Sequence, residues 1–309
     1  MSPGTPVAVI GLGSMGLGMA VSLLRAGFDV RGSDVSDAAL ARLVEAGGRG
    51  TESPAEAAAG ADVVVSVVVN AAQTEQVLFG ERGAAAAMGP GAVFVSSATM
   101  DPEIARRLAA RLEAQGSHYL DAPMSGGAQR ASEGALTFLA SGRAAAFAKA
   151  RPALDAMAGK VYELGPEPGQ GAAFKMINQL LAGVHIAAAS EAIAFAAKQG
   201  LDIARVYEVI TASAGNSWMF ENRIPHVLEG DYSPRSAVEI FVKDLGIVQD
   251  MARSARFPVP MAAAALQMFL MTAGAGMGRD DDASVARLYA QVTGTDLPGR
   301  DLPGPTHDS

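Results

Sequence analysis

The most constraining feature of the chain is a glycine-rich turn set between two elements near its start. Val7–Ile10 reads as a buried strand, and Gly11-Leu12-Gly13-Ser14-Met15-Gly16 follows it and opens the helical run Met15–Ala26. In this setting each glycine has a separate task. Gly11 permits the tight turn, Gly13 lets the backbone approach a pyrophosphate, and Gly16 lets helix and strand pack closely. The phosphates then meet the positive end of the helix dipole. The acidic residue that ends the next strand, Asp34, is placed to accept hydrogen bonds from an adenosine ribose and to repel a 2′-phosphate. Arg31 is close, but no arginine follows Asp34 directly, so the spacing predicts NAD over NADP as cofactor, held by Gly11, Leu12, Gly13, Ser14, Met15, Gly16 and Asp34.

The rest of the first half repeats this alternation. Val30–Asp34, Val63–Val69, Ala92–Ser96 and Tyr119–Ala122 read as strands, with helical runs at Ala38–Ala46 and Pro102–Gln115. Apolar strands separated by helices indicate a parallel sheet covered on both faces. Leu136–Ser141 and Val161–Leu164, flanking a helix at Ala145–Met157, are expected to extend that sheet. After Gly165-Pro166-Glu167-Pro168-Gly169 the pattern becomes helical only. A run from about Ala172 to Gln199, stopped by Gly200, would span roughly 40 Å and is apolar nearly all round, which predicts burial on all sides with help from a second subunit. Further helices are expected near Ile203–Ser213, Trp218–Leu228, Val238–Ala255 and Pro260–Ala273. The expected fold is therefore α/β. An N-terminal Rossmann-type doubly wound sheet (1–165) is followed by an all-helical C-terminal domain (166–293), joined by a long interdomain helix, with a disordered tail from Gly294.

Bulk properties narrow the functions such a fold could serve. The 309 residues include 50% hydrophobic and 18% charged side chains and carry a net charge of −8, with no basic run, which argues against nucleic acid. There are no cysteines, and His118, His185, His226 and His307 are scattered, so no metal site is expected. The longest apolar stretch, Leu180–Ala197, is interrupted by His185, Ser190 and Glu191 and is read as too short for a membrane span. With a core strand already at Val7, no signal peptide is expected, and the protein is predicted to be cytoplasmic.

Two further motifs carry chemistry. Asp121-Ala122-Pro123-Met124-Ser125-Gly126-Gly127 ends a strand, where substrates of open α/β sheets bind. Its Ser125 hydroxyl and the N–H groups around Gly126 and Gly127 could hold a carboxylate. Gly169-Gln170-Gly171-Ala172-Ala173-Phe174-Lys175-Met176-Ile177-Asn178-Gln179 places a lysine in the first turns of the apolar helix, with Asn178 and Gln179 expected on the same side. Desolvation lowers a lysine pKa toward the range useful for proton exchange with an alcohol or carbonyl. Only five of the 24 basic residues are lysines, so a lysine inside an Ala-rich helix invites a chemical explanation over a snorkelling one.

In this order and spacing, the three motifs resemble the β-hydroxyacid dehydrogenase family from about Val7 to Val292. The resemblance implies NAD-dependent oxidation of a small hydroxy-carboxylate, with Lys175 as the catalytic residue and Ser125, Gly126, Gly127, Asn178 and Gln179 around the substrate. It adds Asn70, Thr99 and Lys243 as cofactor contacts and implies a homodimer or homotetramer. Where the family commonly has asparagine four residues after its lysine, this chain has Gln179. Ala214–Arg223 with Asp231-Tyr232 look most like the branch acting on L-threonate. The polar Asn178, Gln179, Asn216, Ser217, Asn222 and Arg223 also suit a polyhydroxylated acid. The family's alternatives are oxidation of 3-hydroxyisobutyrate and reduction of tartronate semialdehyde. A non-catalytic cofactor-binding module or an imine reductase fits less well, because Lys175 is present.

Overall fold

The structure, a computed structural model, describes residues 4–299. It contains two compact units, one running to Lys175 and the other starting at Met176, so the division falls inside one long helix.

In the first unit six parallel strands form one sheet: β1 (Pro6–Ile10), β2 (Asp29–Ser33), β3 (Arg49–Gly50), β4 (Val63–Ser66), β5 (Val93–Ser96) and β6 (His118–Asp121). Their order is β3-β2-β1-β4-β5-β6, so the winding reverses between β1 and β4. Side chains alternate between two cores, as period-2 geometry requires. Val7, Val9, Val63, Val65, Val93 and Val95 pack on one face against Met19 and Leu23 of α1 (Ser14–Arg25), Leu43 of α2 (Asp37–Glu45) and Leu154 of α7 (Ala144–Met157). Ala8, Ile10, Val64 and Phe94 pack on the other. There they meet Ala57 of α3 (Pro54–Ala58), Leu78 of α4 (Ala71–Phe79) and Leu108 of α5 (Pro102–Glu113). Both faces are covered, which is why the strands read as near-continuous apolar runs.

The two later strands do not extend this sheet. β8 (Leu136–Ala140) and β9 (Ala158–Glu163) join β7 (Met124–Ser125) in a separate three-stranded sheet, with β7 antiparallel and β9 parallel to β8. An isolated antiparallel bridge pairs Asp121 with Ser141. Alternating hydrophobicity reports that a segment is extended, not which edge it pairs with.

Helix α8 (Gln170–Lys198) runs close to its expected limits, and Gly200 beyond it has φ +75°. Within one chain it is not buried all round. Phe174, Ile177, Leu181 and Phe195 are between 50% and 64% exposed, spaced as one helical stripe. Nor is it too short for a membrane span. By length and composition alone, Gln170–Lys198 and Pro260–Met277 are each long and apolar enough to cross one, because three polar residues hardly lower the mean of so Ala-rich a segment.

The second unit packs α9 (Ile203–Thr211), α10 (Trp218–Glu229), α11 (Val238–Ser254), α12 (Pro260–Thr272) and α13 (Val285–Thr293) around the remainder of α8. One core collects Ile186, Phe241, Leu245 and Phe269, and a second collects Ile193, Phe220, Ile224 and Val227. Leu297 is buried in the second, and Tyr232 donates to the Pro298 carbonyl at 3.2 Å. Within residues 294–299 of the expected disordered tail, Thr295 and Leu297 are therefore buried, since Leu297 supplies an apolar anchor. The remaining tail, 300–309, lies outside the described residues.

Candidate active site

The glycine turn sits at the reversal between β1 and β4, where ligands of doubly wound sheets bind. Gly11 has φ +89°, and a Cβ there would lie 2.9 Å from the Val67 carbonyl oxygen. A Cβ on Gly16 would lie 1.9 Å from the Gly11 carbonyl oxygen, whereas one on Gly13 would meet nothing within 4 Å. The loop is thus closed against protein at its first and third glycines and open at the second, where a pyrophosphate needs room. Gly13 caps α1 without a side-chain hydrogen bond, and Ser14 and Met15 begin that helix. Leu12 is buried, and its N–H donates to Asp34 Oδ2 at 2.5 Å while Ser36 N–H donates to Oδ1 at 2.8 Å. The carboxylate is thereby fixed beside the loop. The glycine cradle and this carboxylate fit a dinucleotide.

Asn70 and Thr99 follow the carboxyl ends of β4 and β5, on the same edge of the sheet as Gly11. Asn70 Oδ1 accepts Gln73 N–H and Gln73 Oε1 accepts Val69 N–H, each at 2.9 Å, so the Asn70 side chain caps α4. Ser125 lies in β7 opposite Thr137, and Gly126 and Gly127 adopt φ of +141° and +76° to open α6 (Gly127–Glu133). Helix α6 is clamped to α1. A Cβ on Gly18 would lie 2.8 Å from Ser132 N, Ser22 Oγ donates to Ala131 O at 2.9 Å, and Arg25 donates to Ser132 O at 2.7 Å. The element that follows Ser125–Gly127 is thus braced against the helix that opens at the phosphate loop. Sequence reasoning passed over Gly18, although a glycine inside a helix is a signal of close packing.

Lys175, in the second turn of α8, is only 7% exposed. Below it, Asp121 at the end of β6 accepts N–H groups from Gly169 (2.9 Å) and Ala172 (2.8 Å). Burial pushes the Asp121 carboxyl up to about 6, against the opposing pull of those N–H groups, Ser141 and Arg106.

In the second unit Gln179 is buried and its Nε2 donates to Asp244 Oδ2 at 2.5 Å, while Lys243 Nζ donates to Asp244 Oδ1 at 2.6 Å. Asp244, itself 1% exposed, joins the two residues, a role that its place beside Lys243 in sequence did not reveal. Asn178 does not share Gln179's buried side. It lies on the exposed stripe of α8, and its Nδ2 donates to Gln179 Oε1 at 3.0 Å.

Several residues expected at the substrate have other partners. Ser217 caps α10 by accepting Phe220 N–H at 3.0 Å, and Asn216 donates to Glu221 and to the Thr211 carbonyl. Arg223 pairs with buried Asp282 at 2.5 Å and also contacts Asn222. Burial pushes Asp282 up to about 6, opposed by Arg223. Among the described residues no cluster of three or more metal-ligating side chains occurs.

Comparison with known proteins agrees with this geometry. Residues 6–165 match the family model described as the NAD binding domain of 6-phosphogluconate dehydrogenase. Residues 169–289 match the one described as NAD-binding of NADP-dependent 3-hydroxyisobutyrate dehydrogenase. The chain is 55% identical to an L-threonate dehydrogenase of Cupriavidus necator over 95% of this chain and 98% of that one. It is 49% identical to an L-threonate dehydrogenase of Escherichia coli K12 over 95% and 96%. A crystal structure described as 3-hydroxyisobutyrate dehydrogenase from Salmonella typhimurium superposes with a TM-score of 0.87 at 50% identity, covering 91% of this chain and 99% of that one. The chain belongs to the 3-hydroxyisobutyrate dehydrogenase-like family. It is an NAD-dependent dehydrogenase acting on the CH–OH group of a hydroxy acid.

Proposed function

We propose that this enzyme oxidises L-threonate at the hydroxyl next to the carboxylate, giving the 2-oxo acid, with Lys175 as the general acid/base. The burial of Lys175 in the unit that also holds the glycine cradle carries the catalytic part of this reading. The names of relatives 49–55% identical carry the choice of substrate. NAD, held by Gly11–Gly16 and Asp34 with contacts from Asn70, Thr99 and Lys243, supplies the hydride acceptor when bound. Ser125 and the N–H groups around Gly126 and Gly127 anchor the substrate carboxylate. Lys175 Nζ takes the hydroxyl proton as the carbonyl forms and returns it in the reverse direction. Gln179, fixed by Asp244 and bonded to Asn178, offers its remaining amide N–H to a substrate hydroxyl. The second matched domain takes its description from an NADP-dependent enzyme, but nucleotide choice is set at the end of β2, where Asp34 favours NAD.

Lys175→Ala tests the mechanism. Its kcat should fall by about 10²–10⁴-fold, with NADH affinity unchanged because the phosphate loop is elsewhere. Near-normal turnover in a folded Lys175→Ala protein would remove Lys175 from the chemistry.

We also infer a water-soluble, cytoplasmic homodimer or homotetramer whose functional domains divide at the 165/166 junction. The exposed apolar stripe of α8, with exposed Met261 and Met271 on α12, supports subunit association. Sedimentation as a stable monomer at micromolar concentration would contradict it.

A further inference from the structure

Helix α8 begins in an unusual way: the acceptors for its first turn come from distant strand ends and not from a neighbouring residue. We propose that Asp121 is a positioning residue for the reaction, its buried carboxylate fixing the first turn of α8 and thereby the placement of Lys175. This rests on the reading of Lys175 as the acid/base group.

Every helix leaves its first N–H groups without intrahelical partners. Here Gly169 and Ala172 donate to Asp121 Oδ2, and Gly171 donates to Ser141 Oγ at 2.9 Å. Ser141 Oγ in turn donates to Asp121 Oδ2 at 3.4 Å. The backbones of Asp121 and Ser141 exchange both of their hydrogen bonds, at 3.0 and 2.8 Å, so the two acceptors form one rigid seat. Glycine alone fits around it. A Cβ on Gly171 would lie 2.3 Å from the Leu139 carbonyl oxygen, and Gly169 has φ +94°. Lys175 stands three residues after Ala172 and so lies above it on the same side of the helix. A shift or rotation of the first turn moves a buried amine that has little room to compensate, and a misplacement of about 1 Å can cost on the order of 10²-fold in rate.

The seat also carries a charge that changes within the ordinary pH range. Arg106 from α5 favours the carboxylate and burial opposes it, while the phenol of Tyr119 on β6 is pushed far up by its own burial and by Asp121. A carboxylate complements the helix N-terminus better than a neutral acid does. As pH falls through about 6, the hydrogen bonds to the two amides therefore weaken, even as protonation relieves the cost of burying the charge.

The test is Asp121→Asn in the full chain, read by amide exchange, binding and turnover. Protection of the Gly169 and Ala172 amides should fall by about tenfold to a hundredfold, the range for loss of a charge-assisted hydrogen bond. With whichever hydroxy acid the wild type oxidises, kcat should fall at least about tenfold, with NADH affinity and KM little changed. In the wild type, protection at both amides should step down below pH of about 6, and Asp121→Asn should lack that step. Ser141→Ala, which removes only the Gly171 bond, should give a smaller loss of the same kind and guards against a folding failure in the first variant. Unchanged protection in Asp121→Asn, or lost protection with wild-type kcat, would overturn the positioning role while leaving Lys175 in place. Normal turnover in Lys175→Ala would overturn the catalytic reading and this one with it.

Discussion

Asp121 in the first unit and Asp282 in the second are both fully buried carboxylates raised to about 6 by desolvation, yet they are satisfied in different ways. Asp121 accepts backbone N–H groups at a helix start, whereas Asp282 faces the guanidinium of Arg223. The contrast extends to the surroundings. In the first unit Asp121 and Ser141 lie at strand ends and accept the first N–H groups of α8. In the second unit Asp280 pairs with Arg287 at 2.6 Å, Asp281 with His226 at 2.8 Å and Asp282 with Arg223, which binds α10 and α13 to the segment that precedes α13. The buried Asp121 thus seats a helix start in one unit, while Asp280, Asp281 and Asp282 hold helices together in the other.

The largest effect that would break this comparison is at Arg223. Arg223→Ala leaves Asp282 buried without its cation and should destabilise the protein by about 3–5 kcal/mol, read as a lower thermal midpoint, with KM for substrate unchanged in the folded fraction. A raised KM at an unchanged midpoint would instead make Arg223 a substrate ligand, as its sequence neighbourhood suggested.

A smaller effect follows from the raised carboxyl of Asp121. Because its folded pKa lies above the ordinary carboxylate value, folding retains a proton there, and the stability it contributes falls as pH rises from about 4 to about 6. An asparagine does not titrate. Thermal melts across that window should therefore show Asp121→Asn gaining on the wild type with rising pH, by on the order of 1–3 kcal/mol, even though it turns over more slowly. A constant difference between the two proteins would mean that the carboxyl is not raised.

The smallest expected effect sharpens the account of the cofactor site. Asp34→Ser removes the repulsion of a 2′-phosphate and should narrow the preference for NAD over NADP by about tenfold, or about 1.4 kcal/mol. A wild type with higher kcat/KM for NADP would show that Asp34 does not select the nucleotide.

What was legible in the chain follows from how local each signal is. The glycine loop, Asp34 and Lys175 with the helix that carries it were readable because the turn, the strand end and the helix are each continuous in sequence. The strand order and the separate β7–β9 sheet were not, since alternation does not name a partner. The uses of Ser217 and Arg223 were also hidden. Polar side chains near a presumed site look alike in sequence whether they meet substrate, a helix N-terminus or a carboxylate 59 residues away. Asp244 was overlooked for the same reason, because its link to Gln179 spans 65 residues.

The central claim is that a buried lysine beside an NAD site serves a polyhydroxylated acid. Initial rates with L-threonate, D-glycerate and 3-hydroxyisobutyrate, read by NADH absorbance with NAD as oxidant, test it most directly. The account predicts the highest kcat/KM for L-threonate, the acid named for relatives 49–55% identical to this chain. The highest kcat/KM for 3-hydroxyisobutyrate would contradict it.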